Sequence, residues 1–359
     1  MKVIRPQVLS AAQLAASFIL MESISGSALA AAPSPGDAAQ PSDPVWCQIK
    51  QAQPGQVVEI PPGTYTFLKL DGMKFPRGIT VTSADKAHPA VFKGLNITSS
   101  QGLTFKAIEV SVNPATGFAV MLGGDQDIHF DHVNLHGAAV SDGNAIMIRN
   151  SSDVSVTGSE VHHLGTGINH LDSDHLTFAD NFVHHIQSDG IRGGGSSYVS
   201  VVGNRLTDFY PKPEDHPDAI QFWTTNTKQP THDLIITDNV YVRGTGDHVQ
   251  GIFVGNENQV PPLENVTIER NTIIGGMYHG ISIGYSNHVS VSNNIVRSYD
   301  DMDSWIMLNH ITNSSITDNQ ATTYKLDLNN EKLIEKRNKV VRKARPSEFP
   351  VLKRKDSDD

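Results

Sequence analysis

The chain has 359 residues, 18% of them charged, a formal net charge of −10 and one cysteine, Cys47. A lone cysteine excludes an intramolecular disulfide, and the acidic balance disfavours nucleic acid as a partner. The length admits one elongated domain or two compact ones, while the wealth of Gly, Asn, Ser, Thr and Val suits short strands and tight turns better than helices.

The chain starts like an exported protein. Lys2 and Arg5 precede an apolar run from Val8 to Met21, and Ala28-Leu29-Ala30 supplies a small–x–small cleavage pattern. Residues 1–30 therefore read as a signal peptide and 31–43 as a flexible leader, which implies a secreted or periplasmic bacterial protein. No later run is long enough for stable membrane insertion. Val45 to Ala52 is a candidate capping helix, within which Cys47 reads as a small buried hydrophobe. The turn-rich stretch Gln53 to Tyr65 follows it.

From Val154 a phrase recurs, apolar–x–apolar–x–x–Asn–x–apolar. Its copies include Leu176/Phe178/Asn181/Val183, Val199/Val201/Asn204/Leu206 and Leu234/Ile236/Asn239. Further copies fall at Val266/Ile268/Asn271, Val289/Val291/Asn294 and Ile316/Asn319, and Val154/Val156/Ser159/Val161 has Ser in place of Asn. The alternation is that of a strand with one buried face, and the repeated Asn predicts a stacked amide ladder, placed where a bend needs left-handed backbone. A second phrase, x–Gly/Ala–Ile, interleaves with the first at Asn144-Ala145-Ile146, Thr166-Gly167-Ile168, Asp189-Gly190-Ile191, Asp218-Ala219-Ile220, Gln250-Gly251-Ile252 and His279-Gly280-Ile281. Two strand types alternating at this spacing predict a coil that returns to the same azimuth each turn, with every strand pairing its copy roughly 4.8 Å away. The expected fold is all-β, a single-stranded right-handed parallel β-helix over 44–328 with an N-terminal cap. Residues 329–359 form a basic tail, in which Leu333, Ile334, Val340 and Val341 suggest a short amphipathic C-terminal helix over 329–345. The stretch Gln53 to Tyr65 resembles the opening coil of secreted β-helix proteins.

Stacking turns one repeated position into a line of side chains, a surface suited to a long polymer. Asp189, Asp218, Gln250 and His279 occupy such a line, with Arg192, Gln221, Phe253 and Ser282 three residues on. Two carboxyls one coil apart share a proton or a metal, or one of them has a raised pKa. The loop from Phe209 into Asp218 brings Lys212 and His216, and the next coil brings Asp247 and His248. The paired histidines His162-His163 and His184-His185 lie one coil apart; no Cys or carboxylate in sequence completes a transition-metal set, so they read as hydrogen-bonded turn residues.

Tyr278-His279-Gly280-Ile281-Ser282-Ile283-Gly284 resembles the Gly-His-Gly-x-Ser-x-Gly coil of the polygalacturonase family, and His216-Pro217-Asp218-Ala219-Ile220 resembles that family's Asn-Thr-Asp coil. The likeness implies Asp218 as general acid and His279 beside the reacting centre. The family's paired-Asp coil falls at Val249-Gln250, where only the displaced Asp247 is available, and its Arg-x-Lys clamp falls near Ser304 to Met307, where no basic residue stands. The chain is also similar to pectate-lyase-like and alginate-acting β-helix proteins, which implies β-elimination on a uronic acid. That chemistry requires a neutralised carboxylate, a base for the C5 proton and an acid for the leaving oxygen. Arg192 could neutralise, directly or with calcium held by Asp189 and Asp218. Lys212, His216, His248 or His279 could be the base, and Tyr278 or a protonated His the acid. Gln221, Trp223, Asp247, Gln250 and Ser282 are the candidate substrate-binding residues. The expectation is a polysaccharide lyase, with an inverting glycoside hydrolase, a uronan C5-epimerase or a non-catalytic polysaccharide-binding β-helix as alternatives.

Overall fold

The structure, a computed structural model, describes residues 44–140, 142–213, 215, 217–255, 263–349 and 352–353. The expected signal peptide, the leader and His216 lie outside the described residues. A helix, Pro44–Gln51, opens the described part and buries Val45 and Ile49 against the first coils, with Cys47 half-buried beside them.

Each full coil contributes three strands rather than the two types expected. We name their faces A, B and C. Face A carries the x–Gly/Ala–Ile phrase, as in Thr166–Leu171, Ile191–Gly194, Asp218–Trp223 and Gln250–Val254. Face B carries the apolar–x–apolar pair, as in Asp174–Ala179, Ser197–Val202, His232–Thr237 and Leu263–Glu269. Face C follows the Asn, as in Phe182–Ile186, Arg205–Phe209 and Val240–Val242. Like strands pair in parallel, coil upon coil, in constant register through the middle coils of faces A, B and C, with register shifts at Lys74/Ile79 and at His279/Ile281. Side chains at alternate positions point inward, so Ile191, Ile220 and Ile252 stack beside Val201, Ile236 and Ile268 in one continuous apolar core.

The second position of the face A phrase is small for a steric reason. A Cβ on Gly167 would stand 2.1 Å from the Gly190 carbonyl oxygen, and one on Gly251 2.1 Å from that of Gly280. Backbones of neighbouring coils approach too closely there for a large side chain.

Between faces B and C runs the amide ladder. Asn181, Asn204, Asn239, Asn271, Asn294 and Asn319 are fully buried, and each Nδ2 donates to the Oδ1 of the next, at 2.9–3.0 Å. The expected backbone reason is corrected. The left-handed residue is the one before each ladder Asn: Asp180, Asp238, Arg270, Asn293 and Asp318 have φ of 54–60°. The Asn is selected for its two-way hydrogen bonding, which satisfies corner backbone groups that no strand partner reaches.

The C-terminal helix is also corrected. Ile334–Lys336 pairs with Ser315–Thr317, and Lys339–Val340 with Gln320–Ala321, so the segment is a last partial coil. Asn338 continues the ladder by accepting the Asn319 backbone N–H at 3.1 Å. The open strand edges of the preceding coil offer backbone partners, and that pairing outweighs the helical spacing of four apolar residues. Among the described residues a 3₁₀ turn, Pro346–Glu348, follows it.

On face C the histidines form two stacked columns. His136, His162 and His184 stack with centroids 5.5 and 5.1 Å apart, and His163 stacks on His185 at 4.8 Å. Glu109 and Glu160 accept from His136 and His184, at 2.8 and 3.0 Å. Burial, then the neighbouring His184, lowers His162 to about 4, and the same two causes lower His163 and His185. The folded state thus binds fewer protons than the unfolded chain between about pH 6.5 and 4, so these residues contribute stability that is lost on acidification through that window. We expect the melting temperature to fall from pH 7 to 4.5 and His162→Gln to flatten that fall. A pH series of thermal melts in which both proteins show the same slope contradicts this assignment.

Candidate active site

The candidate row lies on face A. Ile191 pairs with Ile220, which sets Asp189 beside Asp218; Asp218 pairs with Gln250; Ile252 pairs with Ile281, which sets His279 beside Gln250. Three residues on, Asn169, Arg192, Gln221, Phe253 and Ser282 form a parallel row. All four residues named from the repeat share one side of the molecule.

The two carboxyls differ sharply. Asp189 is fully engaged: Oδ1 accepts the Asp218 backbone N–H at 2.8 Å, and Oδ2 accepts from Arg192 Nη1 at 2.8 Å. Arg192 is held from its other side, Nε donating to Asn169 Oδ1 at 2.7 Å, while Asn169 Nδ2 donates to Thr166 Oγ1 at 3.0 Å. Asp218 is only 2% exposed and receives one side-chain bond, from Gln221 Nε2 to Oδ2 at 2.9 Å; its Oδ1 is buried with no partner among the described residues. Burial first, then the negative charge of Asp189, pushes the Asp218 carboxyl well above the ordinary carboxylate range. Its protonated form is thereby favoured, next to a salt-bridged carboxylate.

Calcium does not suit this pair. Three of the four carboxyl oxygens are already engaged by hydrogen-bond donors and Asp218 is buried, whereas calcium takes about six to eight oxygen ligands. Among the described residues no three His, Cys, Asp or Glu are placed to hold a metal ion.

The coils beyond Gln250 are aromatic. The His279 ring stacks on Phe253, with centroids 5.6 Å apart and planes at 19°, and meets Trp305 edge-on at 5.9 Å. Tyr278, more than a third exposed, leans on Trp305 at 5.6 Å. Lys325 Nζ lies 3.1 Å from the centre of the Trp305 ring.

The description of right-handed β-helix regions matches residues 93–296. The chain belongs to the right-handed β-helix family. A comparison with curated proteins returns no match. Among solved structures this β-helix is similar to the surface adhesin PfbA of Streptococcus pneumoniae, at 14% identity and TM-score 0.48, over 77% of this chain and 83% of that one. It is also similar to DFA-IIIase from Arthrobacter chlorophenolicus A6, at 11% identity and TM-score 0.48, over 79% and 84% of the two chains. The alginate lyase of a Paenibacillus species matches at 14% identity and TM-score 0.42, over 82% and 96%.

Other sequence-predicted residues of the β-helix disperse. His248 stands at the corner before face A, Nε2 3.3 Å from Asp301 Oδ2, and Asp301 is itself paired with Arg243 Nη1 at 2.9 Å. Asp247 and Lys212 are exposed in loops outside the row. Trp223 aligns with Gly194 and is half-buried, and Ser282 is buried beside Phe253. Sequence reasoning missed Asn169, Trp305 and Lys325. Asn169 was recoverable as the third residue after Thr166 in the phrase. Lys325 was not, because it reaches Trp305 from one coil beyond, where the repeat has decayed; Met307, the clamp position, pairs with Lys325.

Proposed function

We propose that this β-helix is a polysaccharide-acting enzyme, and in particular a lyase that cleaves a uronate-containing chain by β-elimination. Asp218 carries the reading, as a buried carboxyl whose acid form is favoured beside a salt-bridged carboxylate and an arginine. Asp218 and His279 are two coils apart, about 10 Å, and a sugar ring lying over Gln250 fits between them. In the proposed step neutral His279 takes the C5 proton, the C4–C5 double bond forms, and the C4–O bond breaks. The departing oxygen takes the Asp218 proton; His279 then releases the C5 proton to solvent and the Asp218 carboxylate takes one back, which restores both groups. The Gln250 amide and the Arg192 guanidinium meet uronate carboxylates, stabilising the negative charge that develops on the ring.

Glycoside hydrolysis is the second reading, favoured by two adjacent carboxyls with unlike partners. Against it stands Asp189, whose two oxygens are both occupied and unavailable to attack carbon or activate water.

The test is incubation of the purified protein with pectate, alginate and neutral glycans, read for reducing ends and for ultraviolet absorbance of an unsaturated uronate. A lyase gives both signals together. Reducing ends without absorbance overturn elimination in favour of hydrolysis. Arg192→Ala is expected to raise KM for the uronate polymer about tenfold or more, the effect of losing a charge-assisted hydrogen bond. An unchanged KM removes Arg192 from substrate binding.

A further inference from the structure

Face B carries a second surface that the elimination reading does not use. A groove of about 530 Å³ crosses four coils there, lined by Tyr198, Asp233, Ile235, Asn265, Thr267 and His288, among others. Strand register arranges the lining in two parallel rows. Tyr198, Asp233, Asn265 and His288 share the left-handed position that opens each face B strand, with φ of 54–58°. Ser200, Ile235 and Thr267 form the row beside it.

Two of these residues are exposed large hydrophobic side chains, Tyr198 at 50% and Ile235 at 45%. Tyr198 is not loose: its ring is stacked on His175 at 4.7 Å and meets the edge of His232 at 5.1 Å. The carboxylate is oriented as well, Asp233 accepting from Asn265 Nδ2 at 3.1 Å and lying 2.6 Å from His232 Nδ1. A fixed aromatic ring is followed along the axis, at steps of roughly 4.8 Å, by carboxylate, amide and imidazole groups, an arrangement suited to a chain of sugar rings. Sugar C–H groups would meet Ile235 and the exposed part of the Tyr198 ring, and sugar hydroxyls Asp233 and Asn265.

Charge narrows the occupant. Among the described residues that line the groove, Asp233 is the one carboxylate and there is no Lys or Arg. A uronate chain would meet repulsion without a cation to offset it, whereas a neutral glycan meets none. We propose that face B is a non-catalytic binding site for a neutral, pyranose-based polysaccharide, separate from the face A row.

The variants follow the row's own composition. Tyr198→Asn places at a left-handed position the residue that Asn265 already is, and Ile235→Thr places in the second row the residue that Thr267 already is, so the coil is retained. Native gel electrophoresis of the full protein in gels containing soluble xylan, mixed-linkage β-glucan or alginate reads binding directly. Retardation by at least one neutral glycan is expected, weakened about tenfold in the double variant with an unchanged melting temperature, and unaffected by Asp218→Asn. Equal retardation of wild type and double variant overturns the site. Retardation by neither neutral glycan overturns the ligand class, and so does alginate binding that is lost in the double variant.

Discussion

Asp218→Asn is expected to lower turnover by about 10²- to 10⁴-fold, the usual contribution of a positioned acid, while raising the melting temperature at neutral pH. The two effects share one cause. The native carboxyl is buried and faces Asp189, so its folded pKa is raised. The stability such a group contributes is fully present below its unfolded pKa, near 3.8, and is lost as pH rises through its folded pKa. A neutral amide of the same shape removes that loss and keeps the Gln221 contact, but it has no acidic proton to give. The melting-temperature gain should therefore shrink on acidification and vanish only as the pH falls well below 3.8, where the wild-type carboxyl is protonated in both states. Rate assays on the active polymer with a pH series of melts check both halves. Turnover within a factor of a few of wild type would remove Asp218 from the chemistry, and a gain that keeps its neutral-pH size down to about pH 3 would refute the protonation argument.

Asn239→Ala is expected to destabilise the coil by about 4 kcal/mol, near the upper end for a single substitution. The Asn239 side chain accepts from the Asn204 backbone N–H at 3.0 Å and from Asn204 Nδ2 at 2.9 Å, and donates to the Val201 carbonyl at 2.8 Å and to Asn271 Oδ1 at 3.0 Å. Truncation leaves several of these groups buried without partners or access to water, at about 1–3 kcal/mol each. The same change at Asn338 supplies the internal comparison, because that residue is only half-buried and water can replace what it loses. Denaturant melts of the two variants should differ several-fold in their loss of stability. Equal losses would mean that the ladder acts locally, without the burial-dependent penalty assigned here.

The coil itself was legible from residues alone. Period-two alternation names the inward positions, and a fixed Asn marks each corner whatever the length of the intervening loop. Because every coil buries the same positions against the same kind of neighbour, the pattern needs no knowledge of distant residues. The row Asp189, Asp218, Gln250, His279 followed from the same counting.

The chemistry at that row was decided by packing between coils. Asp218 and Asp189 were indistinguishable as letters before a Gly or Ala; burial and the reach of Arg192 made one an acid and the other a fixed anion. Lys325 became the cation over Trp305, and Ile334–Lys336 and Lys339–Val340 became strands, because each met a partner one coil away across a loop of irregular length. Periodicity along a chain specifies which side chains point inward. Charge state and contact depend on neighbours brought close only by stacking, and no local pattern encodes them.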